Sequence, residues 1–345
     1  MASKKPIKVA DVGLGRSGYN IHIKRMRDDK RFEVAAVADW MGDRAQAVGE
    51  EFNCPWFDDH KKMLREIDAD FVVAASYSDT HASISRDAMR AGFHAICEKP
   101  IADSVRGAQS LLDVAKQTGQ KLMIHHNNRF AADVRHVLDV IKTGRIGKVF
   151  EVRMRALGFS RRNDWQTMAA HDGGVLNNTC PHYVDAGLVF LGSPVAQVFC
   201  DLKQMASPGD VEDHVKVLLK GENGMVYDME VSSVCKAPQP KWTVLGSCGT
   251  LVSDGKTSTI EWFDPKKLKR LPVVEASSAD RSYGNEDVIP WKKEEVPSVG
   301  PSIGDFYDNV WDVLRNRKKM LVTPEESLEV VRVTQQCKRL SGFYD

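Results

Sequence analysis

The sequence predicts an α/β protein of two domains, the first built on a doubly wound parallel sheet. Three observations carry this. Apolar runs alternate with helical patterns through the first third of the chain. A glycine-rich turn, GLGRSG, stands between the first strand and the first helix. Beyond residue 150, strand patterns follow one another without crossover helices, which indicates antiparallel pairing. At 345 residues the chain is too long for one compact core.

The elements follow in order. IKVADVG, residues 7–13, is a short apolar run closed by glycine and reads as a buried parallel strand. GLGRSG leads into the helical pattern NIHIKRMRDD, and FEVAAVAD forms a second strand ending at Asp39. ADFVVAAS, FHAICEKP and KLMIHHNNRF read as further strands, separated by the helices THASISRDAMRAG and SVRGAQSLLDVAKQTG. A parallel sheet of six strands is expected over residues 1–125, five of them read here as patterns. Residues 126–345 form the second domain. There, RFAADVRHVLDVIKTG is helical, and GKVFEVRMRALG alternates with Glu151, Arg153 and Arg155 on one face. RRNDWQTMAAHDGG reads as a loop over the site. AQVFCDLKQM, EDHVKVLLK, GMVYDMEVSSV and KWTVLGSCGTLVSD are strands joined by turns such as GENG. Residues 263–302 are rich in proline and charge and read as an excursion or arm. Thr323-Pro324-Glu325-Glu326 signals the start of a last helix, which packs back on the chain.

Composition narrows the function. Hydrophobic residues make up 42% and charged residues 28%, as in soluble globular proteins. A net charge of +1 gives no electrostatic reason for a nucleic-acid or membrane partner. No apolar run is long enough to span a bilayer, and the N-terminus lacks a signal-peptide core. Seven scattered cysteines, none in CxxC, fit reduced thiols in a cytoplasm rather than disulfides or a zinc knuckle. His125 and His126 are adjacent and would point to opposite faces of a strand, so no metal site is expected.

The glycine-rich turn has the spacing of a dinucleotide site. Gly13 permits the tight turn, Gly15 lets backbone approach a pyrophosphate, and Gly18 lets helix press on strand. Leu14, Arg16 and Ser17 complete the loop at a helix N-terminus suited to phosphate. Asp39 lies 21 residues beyond Gly18, where a carboxylate binds the ribose hydroxyls of NAD and repels the 2′-phosphate of NADP. Arg16 is a counter-signal, so NADP is the lesser expectation. Trp40, Ser76, Tyr77, His81, Glu98, Lys99 and Asn128 are the further cofactor contacts expected beyond the strand ends.

GGVLNNTCPHYVDAG, residues 173–187, carries the chemistry. Asn178, His182 and Asp185 are spaced to share a helix face, although Pro181 either starts or kinks that helix. Histidine suits proton transfer near neutrality, and a lysine can supply charge to a developing alkoxide. His182 is expected as acid/base and Lys99 as stabiliser of the hydroxyl. Asn178 is expected to orient and Asp185 to supply a carboxylate. Substrate contacts are expected from Lys99, His126, Arg155, Trp165, Asn178 and His182.

These pieces, together with EKP at residues 98–100, NNRF and the C-terminal DFYDNVWDVLRNRKKMLVTPEESLEVVRVTQQC, resemble the Gfo/Idh/MocA oxidoreductases across nearly the whole chain. The resemblance implies a Rossmann domain followed by a large open, mostly antiparallel sheet, and a bound nicotinamide cofactor. It implies hydride transfer at a hydroxyl-bearing carbon of a sugar, glycoside or cyclitol. It also implies homodimers or homotetramers through the open sheet. Lys99 matches the family's lysine of EKP, His182 its catalytic histidine, and Asp185 a carboxylate usually lining the same pocket. Asn178 stands where many members carry aspartate, and Cys180 where many carry glycine. Two other functions share this pattern: a redox-neutral enzyme that recycles NAD through a transient keto sugar, and a non-catalytic NAD-sensing regulator.

Overall fold

The computed structural model describes residues 5–273, 275 and 287–344. Its first sheet has six parallel strands: β1 (Ile7–Val12), β2 (Phe32–Ala38), β3 (Trp56–Phe57), β4 (Phe71–Ala74), β5 (His94–Cys97) and β6 (Leu122–Ile124), in the order β3-β2-β1-β4-β5-β6. The chain order reverses between β1 and β4, and ligands of such sheets sit beyond the carboxyl ends at that point. The strands are nearly all apolar because helices cover both faces. β3 is too short to show as a pattern in sequence. β6 stops at Ile124, well before the expected Phe130, and Asn127–Phe130 coil into a 3₁₀ turn. This edge segment leaves the sheet because Arg129 reaches across to Asp185.

The second sheet has eight strands: β7 (Val149–Leu157), β8 (Val195–Lys203), β9 (His214–Gly221), β10 (Val226–Ser232), β11 (Trp242–Gly246), β12 (Gly249–Ser253), β13 (Thr257–Trp262) and β14 (Lys292–Pro297). Their order is β14-β13-β12-β11-β7-β10-β9-β8. Only β7 and β10 pair in parallel; every other ladder is antiparallel. The run 241–254, read as one strand, is a hairpin turning at Ser247–Cys248. Gly246 and Gly249 flank the turn because a Cβ at either would strike backbone. The excursion after β13 returns as the edge strand β14; residues 274 and 276–286 of it lie outside the described residues.

One face of this sheet is dry. Tyr227, Met229, Val217 and Trp242 pack there with Val184 and Phe190 of the helix Cys180–Leu191 and Val333 of the helix Pro324–Ser341. The helix Phe306–Arg315 instead buries Phe306, Tyr307 and Val310 against Ile7, Phe71 and Met123 of the first sheet. Reciprocal capping boxes start both C-terminal helices, Asp305 with Asp308 and Thr323 with Glu326. The later helix begins where its sequence signal stood.

Candidate active site

A cleft of about 600 Å³ opens beyond β1, β4 and β5 and is closed on the other side by the second domain. Its first wall is the glycine-rich turn. Gly13 has φ +98°, and a Cβ there would lie 2.4 Å from Ser76 N. A Cβ on Gly18 would lie 2.0 Å from the Gly13 carbonyl, so only glycine lets the helix approach. Gly15 lines the cleft, and a Cβ on it meets nothing within 4 Å. The space beside Gly15 is the kind a pyrophosphate occupies, so the turn fits a dinucleotide. Arg16–Ile23 follow as a π-helix before Lys24–Arg27 narrow to α.

Asp39 is buried at the end of β2. Its Oδ2 accepts the Leu14 N–H at 2.8 Å and its Oδ1 the Met41 N–H at 2.9 Å. Leu14 itself therefore supports the wall rather than lining it. Arg44 Nη1 lies 3.4 Å from Asp39 and joins Arg16 and Trp40 along this end of the cleft. Arg44 was missed in sequence, although an arginine shortly after the ribose carboxylate is a readable signal.

Lys99 reaches across the cleft. Its Nζ donates to the backbone carbonyl of Asn178 at 2.8 Å. That carbonyl is available because the helix Val175–Asn178 ends there and a new one begins at Cys180, with Pro181 in its first turn. Burial pushes the Lys99 amine below its ordinary value, Glu98 opposes this, and Arg16 and Arg162 add to the depression. His182 lines the same cleft. Burial first, then Lys99 and His126, hold its imidazole well below 6.5, so it stands unprotonated at neutral pH. Its Nδ1 has no hydrogen-bond partner among the described residues.

The local fold has a physical basis. Gly174 sits at φ +93°, and a Cβ there would lie 2.4 Å from Glu212 Oε1. The Glu212 carboxylate accepts the Leu176 N–H at 2.6 Å and bonds the Tyr344 hydroxyl. This caps the short helix that presents Asn178. Asn177, Asn178's neighbour, turns inward onto the carbonyls of Asp172 and Gly173.

Most expected residues converge. Gly13, Gly15, Arg16, Ser17, Asp39, Trp40, Ser76, Tyr77, His81, Glu98, Lys99, Trp165, Asn178 and His182 all line this cleft. Leu14 and Gly18 stand behind the turn without lining the cleft, and four others stand elsewhere. Asp185 is buried in a two-pronged ion pair with Arg129, at 2.7 and 2.8 Å, and does not line the cleft. The break at Thr179 separates Asn178 from the helix Cys180–Leu191, which carries both His182 and Asp185, so the expected face through all three is not continuous. His126 turns away from the cleft toward Pro100 and Pro181, while its neighbour His125 lines it. Arg155 lies in a separate open cleft on the second sheet, 2.6 Å from Asp228. Asn128 donates to the His182 carbonyl at 3.3 Å, and Asn127 takes its place on the cleft wall.

The loop between β7 and the helix Val175–Asn178 does cover the site. Arg162, Asp164, Trp165 and Gln166 form its inner edge. It is fastened to the first domain by Tyr77, whose ring stacks on His171 at 4.5 Å and meets the edge of Trp165 at 5.2 Å. Phe159, a second aromatic of this loop, is exposed and pairs with Val234 instead.

Residues 7–126 match a sequence model described as an oxidoreductase family with an NAD-binding Rossmann fold, and residues 134–252 match the GFO/IDH/MocA C-terminal domain. The chain belongs to the Gfo/Idh/MocA oxidoreductase family. An uncharacterized oxidoreductase of Schizosaccharomyces pombe is 23% identical over 97% of both chains. D-apiose dehydrogenase of Paraburkholderia graminis is 28% identical over 72% of this chain and 67% of that one. D-glucoside 3-dehydrogenase of Escherichia coli is 28% identical over 56% of this chain and 57% of its own. Among solved structures, an NAD-binding protein from Listeria innocua superposes with TM-score 0.86 at 23% identity over 99% of both chains. The WlbA dehydrogenase from Bordetella pertussis, in complex with NADH and UDP-GlcNAcA, does so with TM-score 0.77 at 23% identity over 98% of this chain and 97% of that one. These likenesses carry the fold. Among the described residues, no helix is long and apolar enough to cross a membrane.

Proposed function

We propose that this chain is an NAD-dependent dehydrogenase acting on a secondary hydroxyl of a sugar, glycoside or cyclitol. The supporting observation is that the Lys99 amine and the unprotonated His182 imidazole line one cleft with the glycine-rich turn. Gly13, Gly15, Arg16, Ser17 and Asp39 would hold the dinucleotide, and a nicotinamide bound there supplies the hydride acceptor. His182 takes the hydroxyl proton. Lys99 offsets the negative charge that develops on the oxygen, in a site where burial strengthens that interaction. Asn178 fixes Lys99 through its backbone carbonyl, and its amide side chain borders the same space. The buried Asp39 carboxylate favours NAD over NADP, with Arg16 and Arg44 as the opposing charges.

The test is a cofactor-reduction screen over sugars, cyclitols and glycosides with both NAD and NADP. NADH should accumulate with at least one substrate. His182→Ala and Lys99→Ala should each lower turnover by about a hundredfold or more while NADH binding survives. Because the imidazole is depressed, kcat/KM should fall only as pH drops below 6.5. Near-normal turnover in the histidine variant ends the assignment. Substrate conversion without free NADH would replace it by the redox-neutral reading.

A further inference from the structure

At the floor of the cleft Glu98 and His125, with His22 behind them, form a buried cluster to which the proposed reaction assigns no step. Glu98 is 4% exposed, His125 3% and His22 0%. Glu98 Oε1 accepts from His125 Nδ1 at 2.8 Å and from His22 Nε2 at 3.0 Å. A carboxylate oxygen only accepts, so each ring must carry its hydrogen on that nitrogen. The second oxygen, Oε2, accepts the backbone N–H of Lys99 at 3.1 Å. His22 is held in turn by the Tyr307 hydroxyl, 2.6 Å from Nδ1. Lys99 is thus pinned at both ends: its backbone by Glu98 of the first domain, its amine by the Asn178 carbonyl of the second.

We propose that the Glu98 carboxylate, gripped from below by His22 and His125, is the positioning residue that aims Lys99 across the cleft. The inference deepens the dehydrogenase reading and rests on it for the role of Lys99. Three N–H donors on one carboxylate fix its orientation, and its two oxygens have different tasks. Oε1 faces the imidazoles and Oε2 faces the lysine backbone. The same charge supports the Lys99 ammonium against its surroundings, where Arg16, Arg162 and the rings of His126 and His182 are the other titratable or charged groups. Glu98 itself is pushed up by burial and brought back well below its ordinary value by His125 and His22, with Asp11 and Tyr307 as further buried neighbours. Distances of 2.8 and 3.0 Å are those of hydrogen bonds. Two ligands of one zinc ion, each about 2.0–2.2 Å from it in a tetrahedral site, stand farther apart.

Glu98→Gln keeps the volume and removes the charge. Its amide has one acceptor oxygen where the carboxylate has two, so it keeps all three contacts only if both His22 and His125 change tautomer. Turnover should fall about tenfold or more in protein that still folds and binds NADH. A second readout needs no substrate: acylation of the Lys99 amine, followed by peptide mass spectrometry across pH. Removing the anion should move its labelling midpoint down by about one pH unit. His125→Asn and His22→Gln each keep an N–H near the lost nitrogen and should retain most activity, whereas His125→Leu and His22→Leu should not. If Glu98→Gln fails to fold, the His125 pair carries the test. An unchanged labelling midpoint with turnover within twofold overturns the proposal, as does one tightly held metal ion per chain. A shifted midpoint in a protein that turns over no alcohol retains the positioning role and removes the dehydrogenase reading.

Discussion

Asp11 is a carboxylic acid buried without a partner for its charge. It sits on β1 under the glycine-rich turn, 1% exposed, and neither carboxylate oxygen has a hydrogen-bond partner among the described residues. Burial raises its pKa to about 7, with Glu98 and Asp39 adding and His22 opposing. Between the unfolded value near 3.8 and the folded value near 7, the native state holds a proton that the unfolded chain has released. Stability from this group is therefore full at low pH and lost as pH rises toward 7. Asp11→Asn, neutral at every pH, should gain on the wild type as pH goes from 5 to 8.5. The relative gain in melting temperature should be about 2–5 °C. Thermal melts at both pH values check it; a difference that does not change with pH refutes the buried-acid account. The histidines His81, His126, His136 and His182 have the opposite sign, since desolvation lowers each and the unfolded chain binds their protons first. Their contribution is lost as pH falls below 6.5, and the comparison with Asp11→Asn cancels it.

At the scale of elements, the loop 158–172 shows how the second domain is fastened to the first. Tyr77, just beyond β4, lies between His171 and Trp165 and ties the loop over the cofactor side of the cleft. Aromatic pairs of this kind contribute about 0.5–1.5 kcal/mol each beyond their buried area. Tyr77→Ala should free the loop without unfolding either domain. Arg161 and Arg162 are exposed on it, so trypsin should cut there several-fold faster in the variant. NADH should slow the cleavage in both proteins. Equal cleavage rates would show that the loop is held by something other than this aromatic clasp. The loop's position was legible from its polar composition between a strand and the GG pair. Its clasp was not, because His171 lies 94 positions after Tyr77 (171 − 77) and the two meet only through the docking of two domains. Likewise the EKP motif marked Lys99, but no spacing announces that His22 and His125 converge on Glu98.

For the whole molecule, the eight-stranded sheet leaves one face uncovered by helices. Arg155, Asp228 and Lys216 form an ion-pair ladder across its centre, with both contacts to Asp228 at 2.6 Å. Phe199 on β8 and Val252 on β12 are exposed on the same face, in one row with Leu218, Asp228, Arg153 and Thr243. We expect two copies to meet there. The internally paired charges would enter such an interface without unmatched partners, and the apolar positions supply the gain. Sedimentation at micromolar concentration should report a dimer or tetramer, and the double change Phe199→Glu with Val252→Glu should yield a folded smaller species. A monomeric wild type would rule the interface out.

The sequence by itself determined the alternation of elements, the glycine-rich turn with its carboxylate, the lysine of EKP and the histidine of the GG segment. These are local patterns: period, turn chemistry and short spacings act within one or two neighbouring elements, so the chain displays them directly. Tertiary structure decided which polar groups share a space. It sent Asp185 to Arg129 and Arg155 to Asp228, away from the cleft, and gave Lys99 the Asn178 carbonyl exposed by a broken helix. It also gathered His22, Glu98, His125 and Tyr307 from four distant elements. A buried charge must find its partners wherever the packing brings them, and sequence spacing does not encode that.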